Sequence, residues 1–100
     1  MSVIVIGRMA VDPANVERLW RERKGDFEAI SEAARAAGAT HRRWAFGDGF
    51  VTIIDEWPDA QAFDSFFNGQ PRIADLMQEA QVQGPPQFDI LEAKTAPDEF

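Results

Sequence analysis

Near its middle the chain reads HRRWAFGDGFVTIIDEW over residues 41–57. Two runs rich in β-branched and aromatic residues flank Gly47-Asp48-Gly49. Asp-Gly is a dipeptide favoured by tight hairpin turns, so residues 39–46 and 50–57 read as paired antiparallel strands. A central hairpin in a chain of 100 residues leaves room for little else, and the flanking segments decide the architecture.

Upstream, residues 3–11 (VIVIGRMAV) are β-branched and too few for a buried helix, which predicts a strand. Asp12-Pro13 follows as a helix start, with an acceptor at the cap and a pre-set φ at the first helical position. Val16, Leu19, Trp20, Phe27, Ile30, Ala34 and Ala37 then recur at helical spacing until Gly38 stops the pattern. Gly25-Asp26 interrupts it, with Asp26 a candidate cap, and the pattern admits one bent helix or two consecutive ones.

Downstream, Pro58-Asp59 opens a helix carrying Phe63, Phe66 and Phe67. Asn68-Gly69-Gln70-Pro71 breaks it, and Ile73, Leu76, Met77 and Ala80 continue a helical face beyond. Gly84-Pro85-Pro86 reads as a breaker before a last strand over residues 87–94, and residues 95–100 form a polar tail. Residues 1–100 therefore read as a single α+β domain in β-α-β-β-α-β order, a ferredoxin-like arrangement. Both helical segments cover one face of a four-stranded antiparallel sheet. A sheet with one wet face should alternate apolar and polar residues, yet residues 3–11 and FVTII are apolar on both faces. The bare face predicts a homodimer, sheet against sheet.

The net charge of −7, from 17 acidic and 10 basic residues, argues against nucleic acid and anionic membranes as partners. Cysteine is absent, which removes disulfides, thiolate nucleophiles and cysteine-based metal sites. Tyrosine is absent as well. The first residues carry no basic region ahead of a short apolar run, so neither a signal peptide nor a membrane span is expected, and a soluble cytoplasmic protein is. No phosphate loop, Ser-His-Asp order or metal-ligand spacing occurs, so neither cofactor nor metal is expected.

The element order, the Gly-Asp-Gly hairpin and the segment EWPDAQAFDSFFNGQP resemble the dimeric α+β barrel proteins. Within them the chain is most similar to the antibiotic-biosynthesis-monooxygenase-like group, over roughly residues 3–94. The most telling piece is Glu56-Trp57 at a strand end, followed by Ala62-Phe63 on a helix. The resemblance implies one pocket per subunit between the sheet and its helices. It also implies two possible activities: cofactor-free oxidation of aromatic substrates by molecular oxygen, or haem degradation. The haem degraders carry Asn on the first strand and Trp and His on the second long helix. Arg8, Phe66 and Leu76 occupy the matching places here, which argues against haem.

His41 is the only histidine. A two-residue turn sets it opposite Glu56, and a three-residue loop sets it opposite Asp55; either carboxylate would orient the imidazole as a general base. Oxidation of a phenol by oxygen needs such a base. The competing reading is a solvent-exposed ion-pair ladder beside Arg42 and Arg43. Trp44 and Trp57 would stack on a planar substrate or pack in the core or at the dimer interface, while Trp20 reads as core. Phe63, Phe66 and Phe67 would line the pocket, and Asn68 would donate to a ligand carbonyl or end its helix. Arg8, alone in an apolar strand, is expected to pair with Asp89 or Glu92. Two functions follow. One is a small cofactor-independent monooxygenase on an aromatic or quinone-like molecule. The other is a non-catalytic dimer, binding a hydrophobic small molecule or serving as a structural partner.

Overall fold

The computed structural model describes all 100 residues. The elements are β1 (Val3–Ala10), α1 (Pro13–Glu22), α2 (Lys24–Ala36), β2 (His41–Gly47), β3 (Phe50–Trp57), α3 (Ala60–Gly69), α4 (Pro71–Ala80) and β4 (Gln83–Glu92). The strands form one antiparallel sheet in the order β2-β3-β1-β4, the ferredoxin-like arrangement. No helix is long and apolar enough to cross a membrane.

Each crossover is two short helices rather than one bent one. The first break falls at Arg23, whose backbone (φ −122°, ψ 33°) leaves the helical region. Asp26 does not cap α2. Its carboxylate instead accepts from Arg23 Nε at 2.6 Å, so the capping expectation gives way to an ion pair. The second break is Gln70, which ends α3 and caps α4 just before Pro71. The starts are as the sequence suggests: Asp12 accepts from Ala14 N at 3.0 Å and Asp59 from Ala62 N at 2.8 Å. At the end of α2, Gly38 takes φ 105° while Gly38 N and Ala39 N bond the carbonyls of Arg35 and Ala34. That double bond pattern is a Schellman cap.

Each helix buries two residues three or four apart: Val16 and Leu19, Ile30 and Ala34, Phe63 and Phe66, Leu76 and Ala80. They meet Val5, Met9, Val51 and Trp57 on the inner sheet face. Full burial of each larger apolar side chain contributes about 1.5–3 kcal/mol, so this layer contact carries the fold.

Two sequence expectations change here. β4 begins at Gln83 and runs through Gly84-Pro85-Pro86 instead of starting after it. Between the pairs Ala10↔Gln83 and Arg8↔Gln87, β4 spends three residues against one of β1, which is a bulge. Prolines are tolerated there because β4 is an edge strand and their missing N–H groups break no central ladder. Arg8 pairs with neither Asp89 nor Glu92. Its guanidinium carbon stands 3.7 Å from the centroid of the Phe50 ring, a cation–π contact on the side of the sheet away from the helices.

Candidate functional site

The hairpin register decides which side chains meet. His41 pairs with Glu56, Arg42 with Asp55 and Phe46 with Val51, the register of a two-residue turn. Successive residues of a strand point to opposite faces. Asp55 shares its face with Val51, Ile53 and Trp57, under the helices; Glu56 and His41 lie on the open face.

Between the sheet and the helices is a cavity of about 100 Å³. Its wall has 22 residues, 18 of them hydrophobic, and the only charged ones are Arg42 and Asp55. Rings supply much of the surface. Phe63 stacks on Phe67 with centroids 5.9 Å apart, and Phe88 meets both edge-on at 5.1 and 5.0 Å. Gly7 makes room for that ring, because a Cβ there would stand 2.8 Å from Phe88 Cε1. On the β2 side Trp44 contacts Trp20 edge-on at 5.4 Å, and Trp20 in turn stacks on Phe46.

Asp55 is only 4% exposed. A carboxylate at that depth needs partners, and it has three donors. Arg42 Nε reaches Oδ1 at 2.8 Å and Nη2 reaches Oδ2 at 2.7 Å, while Trp57 Nε1 reaches Oδ2 at 3.1 Å. The guanidinium grips the carboxylate at two points, the geometry in which Arg–carboxylate pairs are strongest. Trp57 is available because it sits two residues along the same strand, on the same face. Its ring is buried between Phe63 at 5.6 Å and Phe66 at 5.0 Å.

Of the nine candidate site residues, five line the cavity: Trp44, Asp55, Phe63, Phe66 and Phe67. His41 does not. Its side chain is 76% exposed, with Nδ1 3.6 Å from Glu56 Oε1 and 3.3 Å from Thr40 Oγ1. Glu56 accepts from Ser2 Oγ at 2.8 Å on the same open face. Trp57 lies behind the cavity wall, holding Asp55. Asn68 is exposed, and its amide donates to Asp64 O at 3.0 Å within its own helix. Sequence reasoning passed over Arg42, grouped with an exposed ladder, and Phe88. The available signal for Arg42 was parity: a two-residue turn that pairs His41 with Glu56 necessarily pairs Arg42 with Asp55.

On the outer surface of the helices, Arg23 bonds Asp26, Asp75 (2.9 Å) and Glu79, and Arg72 adds a second contact to Asp26 at 3.3 Å. The network ties the α1–α2 joint to α4. Hydrogen bonds that Arg23 donates to Asp75 and then to Asp26 raise its pKa above the ordinary value. Chiefly the bond from Arg23 lowers that of Asp26. Nowhere do three or more His, Cys, Asp or Glu side chains cluster as a metal would require.

No family model matches the sequence, and no curated relative matches it. Solved structures do resemble its fold. SnoaB, a cofactor-independent oxygenase from Streptomyces nogalater, aligns over 98% of both chains with 17% identity and a TM-score of 0.64. The monooxygenase ActVA-Orf6 of Streptomyces coelicolor, solved with nanaomycin D, covers 95% of this chain and 89% of its own at 21% identity and a TM-score of 0.66. The chain has the fold of the antibiotic biosynthesis monooxygenases. Rv0793 from Mycobacterium tuberculosis shares that fold too, with 16% identity over 98% of this chain, 100% of its own and a TM-score of 0.63. At such identities the likeness shows the layout of sheet and helices alone, and what the cavity can do rests on the side chains described above.

Proposed function

We propose that this chain is a small cofactor-independent monooxygenase acting on an aromatic or quinone-like molecule held in the cavity. The observation that carries this reading is the ring-lined apolar wall with a single ion pair set in it. In such a reaction the substrate supplies the electrons. A phenol with an open ring position takes one atom of O₂ as a new carbonyl, and the other leaves as water. An apolar site suits both oxygen and a neutral ring. The solved structures named above support the reading, one being described as a cofactor-independent oxygenase.

A second reading, a non-catalytic binder, is favoured by one feature. No free base lines the cavity, since both Asp55 oxygens are engaged and His41 lies on the other side of the sheet. Incubating the protein with substituted phenols and naphthols under ¹⁸O₂ separates the two. One ¹⁸O atom in a quinone product, formed faster than in buffer, is expected of the monooxygenase; tight binding without product would establish the binder.

The partner in either case is a second copy across the open sheet face. Ile4, Ile6, Ile54 and Leu91 share that face by register, and the last two are exposed. Arg8 and Arg43 alternate there with Glu56 and Asp89, charges that a two-fold axis would pair. Sedimentation should give a dimer that Ile54→Lys breaks; a wild-type monomer at micromolar concentration would sink the idea.

A further inference from the structure

One edge of the guanidinium in the cavity wall has unused hydrogen-bonding capacity. Arg42 carries five N–H donors in a planar fork. Asp55 occupies Nε and Nη2, and Nη1 makes no hydrogen bond within the chain. The Asp55 carboxylate is fully engaged, with Oδ1 on Nε and Oδ2 shared between Nη2 and Trp57 Nε1. Among the other lining side chains only Trp44 carries a donor, a single indole N–H. Arg42, its side chain 27% exposed, is therefore the one charged lining group with donors to spare for an oxygen of a ligand.

The chemistry of that oxygen follows from the pair. Arg42 and Asp55 offset each other's charge, so the free donors suit a neutral or partly charged oxygen better than a carboxylate or phosphate. The two-point grip of Asp55 also fixes the guanidinium plane before a ligand arrives, which lowers the entropic cost of binding. Volume adds a second limit. An apolar cavity of about 150 Å³ holds one benzene ring; this one, about 100 Å³ and open on one side, seats a single ring only where the ring reaches into the opening. Fused rings exceed it.

We propose that Arg42 anchors a single-ring phenol or quinone, its Nη1 edge donating to the ring oxygen while Phe63, Phe67, Phe88 and Trp44 hold the ring. This rests on the cavity being the ligand site and names the class of ligand. The test is calorimetric binding of 4-ethylphenol, ethylbenzene and 1-naphthol to the full chain. The phenol is expected to bind about tenfold or more tightly than ethylbenzene, and 1-naphthol more weakly than the phenol. In Arg42→Lys the ammonium still reaches Asp55 but lacks the second edge, so the preference for phenol falls to near unity while ethylbenzene affinity holds. Near-UV circular dichroism checks folding. Should that variant fail to fold, Arg42→Met with Asp55→Asn removes the charges, keeps an acceptor for Trp57, and is expected to show the same loss. Equal affinities in the wild type, or a phenol preference surviving substitution, would overturn the anchor while leaving the cavity as a ligand site. Tighter binding of 1-naphthol would overturn the single-ring limit. Binding of none of the three would overturn the cavity reading as well.

Discussion

His41–Glu56 and Arg42–Asp55 are consecutive rungs of one hairpin, each a nitrogen-bearing side chain opposite a carboxylate, and they differ in almost everything else. The first lies in solvent, its closest nitrogen and oxygen 3.6 Å apart, and the imidazole is free to leave. The second is joined by two bonds of 2.7 and 2.8 Å around a carboxylate that water barely reaches. One step along a strand turns a side chain from solvent to interior, and that turn decides whether an ion pair is dispensable or structural. Residue chemistry alone would have ranked the histidine first.

The contrast can be broken most strongly at Arg42. Arg42→Ala strands a buried charge and is expected to cost about 3–5 kcal/mol in urea unfolding. Replacing the pair together, Arg42→Met with Asp55→Leu, should recover most of that loss, because well-packed apolar pairs replace buried ion pairs with little penalty. A smaller effect is expected of Trp57→Phe, which keeps the aromatic packing and removes one donor to the Asp55 carboxylate. About 1.5–3 kcal/mol is expected from a lost hydrogen bond to a charged group, again read from unfolding. Less again should follow Asp26→Asn on the outer surface. The lowered pKa of Asp26 means its contribution is full above the ordinary aspartate range and disappears as pH falls through the folded-state value. The melting-temperature gap between wild type and Asp26→Asn should accordingly be constant above about pH 5 and shrink below about pH 4. Last comes His41→Ala, expected to change stability by less than about 1 kcal/mol at neutral pH. A larger loss would place the open-face rung on a par with the buried one and dissolve the contrast.

Much of the architecture was legible because local chemistry and tertiary structure agree. Asp12-Pro13, Asp59, Gly38 and the Asp48-Gly49 turn each act where their side chains or φ preferences predict. The misreadings have physical causes. Gly84-Pro85-Pro86 looks like a stop, but an edge strand loses nothing by missing donors and absorbs it as a bulge. Arg8 finds an aromatic face rather than a carboxylate, a choice that depends on what lies opposite in β3. The site was the harder part. Because both faces of β1 and β3 are apolar, hydropathy does not tell which parity lies under the helices. Asp55 and Glu56 were therefore interchangeable until the register and the helix positions were known. The aromatic residues of α3 were easier to place, since the same helical spacing serves core and cavity alike.

The prolines of β4 have one more consequence. An open sheet can grow by adding a strand at either border, where unpaired N–H and C=O groups await a partner. Along one border of this sheet, Pro85 and Pro86 have no N–H to offer and the backbone is kinked beside them. Along the other, β2 carries three cationic or ionisable side chains in succession, His41, Arg42 and Arg43. Both borders are thus poor templates for lateral addition. Blunted sides disfavour an unbounded ribbon of sheets, so any pairing of copies would fall to the open surface and stay finite.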